Sequence, residues 1–346
     1  MVHSQLAVDD IIQQHLAPLV KKIDEEAAYA EQYLLELGKN GYFRSTGKDR
    51  ATLLQHEAEL VEKTAAVCMT TAFCLWCHLA ALTYIRNTDN VALQQAYLPA
   101  LEGGSLLGAT GLSNPMKFYT DLEKLHLTAE RVDGGYIVNG VLGAVSNLAN
   151  DHVFGGIAQL PDDKEVMFLV DLRKHDVPLK EKVNFIGVNG SATYSCRFNN
   201  TFIADDFVLS HEARPFVNTI RPAFVIYQIP LGLGVIDAAI TTIDKVKAKQ
   251  NGCNEFIRTQ SCDLLEKRNA LKARLIEVTY DAPLIDICKT KLDTVYATLE
   301  ATQASMLHTG AAGYVAGSKP SRLLRESYFF ASLTPTVRHL EKLVQK

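Results

Sequence analysis

Three strings in the chain bring chemically capable residues together at short spacing. Cys74-Leu-Trp-Cys77-His78 has the spacing that attaches c-type haem. Haem attachment of that kind needs export, and the string sits in an apolar helical run beside the chain's single tryptophan, so it reads as a packed helix. A zinc or redox site is not indicated either, because no second ligand pair follows at metal-site spacing. Gly232 and Gly234 in LGLGV resemble the start of a dinucleotide fingerprint, but no strand pattern precedes them and no third glycine follows. Close helix packing is their expected role. The sequon Asn199-Asn200-Thr201 matters only in a secreted protein. Nucleophile elbow, His-Glu-x-x-His and Walker patterns are absent from the sequence.

The elements that must position any site fall into three stretches. From residue 5 to about 100, apolar residues recur at three and four, as in Ile11, Leu16, Leu19, Val20 and Ile23 and again in Tyr29, Tyr33, Leu34 and Leu37, which is helical spacing. After Leu106 the period changes. LHLTAERV, then Asp133-Gly134-Gly135, then YIVNGVLGAV reads as a hairpin, and HVFGGIAQL, EVMFLVDL and TYSCRFNNTFIADDFVL continue as strands. Beyond Pro215 the helical period returns and persists to the end. The expected fold is multi-domain α+β: an α-helical domain over 1–105, a β-barrel-like domain over 106–212 and a four-helix-bundle domain over 213–346. With no linker or repeat between them, the three should pack as one body.

Composition narrows the function classes. Hydrophobic residues make up 47% of the 346 and charged ones 21%, enough apolar surface for a folded core. Lys plus Arg is 35 against 39 acidic residues, which lacks the basic excess that nucleic acid requires. The apolar run from Thr64 to Tyr84 is interrupted by Thr70, Thr71, His78 and Thr83, so a buried helix is expected rather than a membrane span. Asp9 and Asp10 interrupt any signal-peptide pattern at the start, which predicts a cytoplasmic chain with its seven cysteines free.

The helix, strand, helix order, with a loop of small and hydroxyl residues at the first junction, resembles the acyl-CoA dehydrogenase flavoproteins. Three strings carry the resemblance: Gly108-Ala-Thr-Gly-Leu-Ser-Asn-Pro115, Gly140-Val-Leu-Gly-Ala-Val-Ser-Asn147, and Leu307 to Tyr314 with Arg322-Leu-Leu-Arg325-Glu326 after it. It implies FAD, with Thr110, Leu112, Ser113 and Ser146 against the flavin ring and Gly310 and Thr336 on the rest of the cofactor. Hydroxyl and backbone N–H donors stabilise electron density arriving at the ring. It also implies an acyl-CoA or related CH–CH substrate, for which Tyr119, Arg221, Tyr227 and Gln228 are the available polar contacts. An electron-transferring flavoprotein or a flavin reductase, and a homodimer or homotetramer, are the implied partners.

Departures from the family pattern set the activity in question. The catalytic glutamate position falls on Thr334, which cannot remove an α-proton. The alternative base position on an earlier helix falls near Pro222, again without a carboxylate. Ala144 replaces the aromatic that covers the flavin, Asn114 replaces the loop's glutamate, and Ala248 to Gly252 keeps only the glycine of the cross-subunit contact. Asp121, His308 and Glu326 are the candidate substitute bases, each with a structural role as its plainer reading. Three functions stay open: a dehydrogenase with a substitute base, a flavin monooxygenase or oxidase, and a catalytically degenerate paralogue.

Overall fold

The computed structural model describes residues 6–182 and 184–345. Short helices α1 (Val8–Ile11) and α2 (Val20–Glu25) lead into α3 (Glu31–Lys39), α4 (Arg50–Val67), α5 (Met69–Asn87) and α6 (Val91–Glu102). Helix α4 starts where the Asp49 carboxylate accepts from the Thr52 N–H at 2.8 Å, and α6 starts on Asn90 in the same way. Helix α5 is buried all round from Met69 to Ile85, as expected of a helix that is apolar on every face. Its polar residues are absorbed internally. The His78 Nδ1 accepts from the Gly108 N–H at 3.0 Å, and burial, then Arg86, lowers the imidazole to about 3. Cys74 and Cys77 are buried free thiols. The haem-like string is thus a packed helix that anchors the first strand.

The strands are β1 (Gly108–Thr110), β2 (Leu127–Val132), β3 (Gly135–Val145), β4 (Val153–Gln159), β5 (Glu165–Asp171), β6 (Leu179–Glu181), β7 (Tyr194–Ala204) and β8 (Val208–Ser210), with helix α7 (Ser113–Phe118) after β1. They pair in the order β6-β7-β3-β2-β4-β5-β8, and β1 lies parallel to β4. The hairpin expected at Asp133-Gly134 joins β2 to β3 in antiparallel register.

Helices α8 (Ala213–Ile226), α9 (Ile229–Val246), α10 (Ser261–Val278), α11 (Leu284–Thr309), α12 (Lys319–Ser332) and α13 (Val337–Val344) follow. Gly234 lets α9 lie on α4: a Cβ there would come within 2.4 Å of the Glu62 carbonyl oxygen. Gly232 does the same toward Thr298 of α11, at 2.6 Å. Packing is therefore what this glycine pair serves. The stretch Ala213–Val246 is long and apolar enough to cross a membrane, but 89% of that window is buried in the protein's own interior. One apolar core joins the N-terminal and C-terminal helices to one side of the sheet, and a second lies within the sheet.

Candidate functional site

Helices from both ends of the chain and the rim of the sheet close on one cavity. Phe73, Trp76 and Cys77 of α5 and Phe224 of α8 wall one side. Thr110, Ser113, Ala144 and Ser146 come from the sheet rim and the start of α7, and Thr334 comes from the turn between α12 and α13. A second opening shares Ala144, Ser146, Phe329 and Ser332 with the first. Ser146 thus stands at the junction of two spaces.

Backbone pairing sets this arrangement. An isolated bridge places Thr110 beside Ser146. The Ser146 hydroxyl lies 2.7 Å from that of Thr193, which lies 2.8 Å from that of Ser191, forming a short hydroxyl chain. Ser113 Oγ and Thr334 Oγ1 are 3.1 Å apart. Leu112 is fully buried, and its N–H donates to Thr110 Oγ1 at 3.4 Å, so it supports the loop from behind.

Four of the residues expected at a site, Thr110, Ser113, Ser146 and Thr334, line this one cavity. Thr336 lies in a neighbouring cleft with Lys117, Arg338 and His339, where its hydroxyl accepts from the His339 N–H. Gly310 sits at the end of α11 with φ +64°, away from the cavity lining. Tyr119 and Arg221 do not line the cavity either. The Tyr119 hydroxyl is buried without a partner, and its ring lies 4.9 Å from the Arg214 guanidinium. Burial holds the Arg221 guanidinium below its usual pKa.

Tyr227 is fully buried and donates to Glu57, so it serves packing. Gln228 is also fully buried but acts on the site: its Nε2 donates to the Thr334 carbonyl at 3.0 Å. Its Oε1 accepts from Lys291, whose amine also donates to the carbonyls of Leu333 at 3.0 Å and Pro335 at 2.7 Å. Three consecutive main-chain carbonyls around Thr334 are therefore tied down by one buried pair. Sequence reading missed Lys291. Its only signal was a lysine among the apolar positions of a long helix.

Among the described residues, no side chain lining the cavity is a carboxylate, an imidazole or an amine that could take a proton. Burial pushes the Cys77 thiol well up, so it stays protonated. The three candidate substitute bases lie outside the lining. Asp121 is an exposed turn residue with φ +59°. His308 is buried and bonded to the Thr259 carbonyl. Glu326 is buried near Thr70, and burial raises its carboxyl above the ordinary range. Elsewhere, Glu31, Asp151 and His152 bring possible metal ligands within 4.8 Å of one another, outside this cavity.

No family model matches the chain. Over 237 residues it is 25% identical to benzylmalonyl-CoA dehydrogenase of Aromatoleum aromaticum, a match covering 66% of this chain and 62% of that protein. Over 269 residues it is 25% identical to the mitochondrial 2-methylacyl-CoA dehydrogenase of Solanum tuberosum, covering 71% and 64%. The matched region thus spans less than two thirds of either relative's length. A solved complex of glutaryl-CoA dehydrogenase with glutaryl-CoA superposes with a TM-score of 0.87 at 16% identity, over 98% of this chain and 92% of the other. The chain is thus similar to acyl-CoA dehydrogenases at low identity and shares the fold of the glutaryl-CoA dehydrogenase structure. As such it has the helical, sheet and helical regions of that fold, with its cavity at their meeting point. Among the described residues, the side chains there are hydroxyls, aromatic rings, Ala144, Leu333 and the Cys77 thiol, with Thr334 and no carboxylate.

Proposed function

We propose that this chain is an FAD-dependent oxidoreductase acting on an acyl-CoA or related thioester. The observation that carries the reading is the convergence of Thr110, Ser113, Ser146 and Thr334 on one cavity bounded by aromatic rings. The donor set fits a flavin ring: short hydroxyls along one edge, an apolar wall, and the small exposed Ala144 leaving space beside Ser146. When bound, FAD supplies the two-electron acceptor. The protein's part is to hold and polarise it. Ser146, backed by Thr193 and Ser191, offers a hydrogen bond to the ring edge. Thr336, Lys117 and Arg338 would hold the anionic diphosphate. Phe73, Trp76 and Phe224 exclude water from the reacting face.

A lining without a carboxylate supports a second reading, a flavin-dependent monooxygenase or oxidase. Such chemistry, or a degenerate paralogue, does not need a base to take an α-proton. The partner would be an electron-transferring flavoprotein for a dehydrogenase and a flavin reductase for an oxygenase. Self-association as a homodimer or homotetramer accords with exposed Leu307 in the last turn of α11 and exposed Tyr314 and Val315 after it.

The test is the visible flavin absorption of purified protein after addition of FAD, with Ser146→Leu beside the wild type. Retained yellow colour in the wild type and loss in the folded variant are expected. Equal retention in both contradicts the placement of the ring.

A further inference from the structure

His152 ends the loop between β3 and β4 and is only 2% exposed. Its N–H donates to the Ala149 carbonyl at 3.1 Å, and its own carbonyl accepts from the Leu172 N–H at 3.2 Å, so the residue is fixed in place. The ring Nδ1 lies 3.0 Å from the Asn147 carbonyl. A carbonyl can only accept, so Nδ1 carries the proton of the neutral ring and Nε2 presents its lone pair. Among the described residues Nε2 makes no hydrogen bond. It faces the Glu31 Oε1 at 3.5 Å and the Asp151 Oδ1 at 3.8 Å, and the three atoms lie within 4.8 Å of one another.

Three acceptors turned toward one another repel unless a cation lies among them. Among the described residues, no lysine or arginine pairs with Glu31 or Asp151; their one ion-pair neighbour is His152. A proton on Nε2 would answer one of the two negative charges, whereas a divalent ion would answer both. The spacing also suits a metal. Ligand atoms about 2.1 Å from a tetrahedral zinc stand about 3.4 Å apart, so only a small closing of the two carboxylates is needed. The Asn147 carbonyl holds the far ring nitrogen as the outer partners of metal-bound histidines do. An imidazole nitrogen in the set favours zinc over magnesium or calcium, which take oxygen ligands.

We propose that Glu31, Asp151 and His152 form a Zn²⁺ site, with three protein ligands and the remaining position open to water. It lies outside the cavity and depends on neither the flavin nor the thioester reading. The ion joins the start of α3 to the loop that follows Ser146. Asn147 in that loop is fully buried with φ +61°, and its side-chain oxygen accepts from the Tyr29 hydroxyl at 2.6 Å. Fixing His152 therefore fixes the backbone next to Ser146 from behind.

The test is isothermal titration of EDTA-treated, dialysed protein with zinc chloride. One zinc per chain is expected. Glu31 and Asp151 are 45% and 72% exposed at their side chains, so Glu31→Gln and Asp151→Asn should fold, and each should weaken zinc at least about tenfold. Zinc should raise the melting temperature of the wild type and leave that of either variant where it is. Cobalt chloride in place of zinc should give no thiolate charge-transfer absorption, which separates this site from the exposed Cys253 and Cys262. Absence of zinc binding by the wild type would overturn the site and leave His152 as an ion-pair partner only. Equal zinc affinity in the wild type and both variants would overturn it too, as would a thiolate band accounting for the bound cobalt.

Discussion

Thr334 is held more firmly than a surface turn residue needs to be. Its hydroxyl meets Ser113, its carbonyl is bonded to Gln228, and Lys291 grips the carbonyls on either side. A carboxylate placed there would enter a cavity that has none. Thr334→Glu is therefore expected to let pentanoyl-CoA bleach the bound flavin under anaerobic conditions, faster as pH rises and the new carboxyl ionises, while the wild type stays coloured. Bleaching of the wild type at a similar rate would mean that a base lies elsewhere. Lys291 has its own pH dependence. Burial lowers its amine to about 7, against about 10.4 for an exposed lysine. Below about pH 7 both folded and unfolded chains carry the proton, and the burial cost is fully present. Between about pH 7 and 10 the folded state sheds its proton first, so that cost is relieved. Wild-type stability should rise over that window relative to Lys291→Met. A difference that stays flat with pH would contradict the assignment.

At the scale of elements, the helices and the central hairpin were legible because period and turn chemistry act locally. The alternation on either side of Asp133-Gly134 and the three-four spacing before residue 100 needed no tertiary knowledge. Tertiary ties were not legible, since they join residues far apart in sequence. Glu57 of α4 is the clearest: fully buried, it accepts from Arg86 of α5 at 2.9 Å and from Tyr227 after α8. Nothing in the local pattern of α4 marks that carboxylate as interior. Glu57→Ala leaves a buried guanidinium without this partner and should cost about 3–5 kcal/mol in urea unfolding. Tyr227→Phe removes one donor and should cost about 1–3 kcal/mol. A negligible effect from Glu57→Ala would show that the network is not structural. The site was half legible for the same reason. Hydroxyls around β1 and just after β3 lie within family-like strings, whereas Gln228, Lys291 and the ring wall come together only when α5, α8 and α11 pack.

For the molecule as a whole, the cavity exists because the first and last thirds of the chain share one apolar core and press together on the sheet rim. Phe73 and Phe329 lie 256 residues apart in sequence and 4.7 Å apart as rings. Shared burial of this kind predicts that the ligand cavity and the global fold respond together, so FAD should raise the melting temperature of the whole chain in one transition. The chain's single tryptophan, Trp76, lines the same cavity as Ser146 and reports on it directly. The decisive measurement is its fluorescence during titration with FAD. A flavin ring seated beside Ser146 should quench Trp76 emission saturably in the wild type, and Ser146→Leu should weaken that quenching. Trp76 emission that stays unchanged as FAD is added, with or without flavin bound elsewhere, would contradict the account.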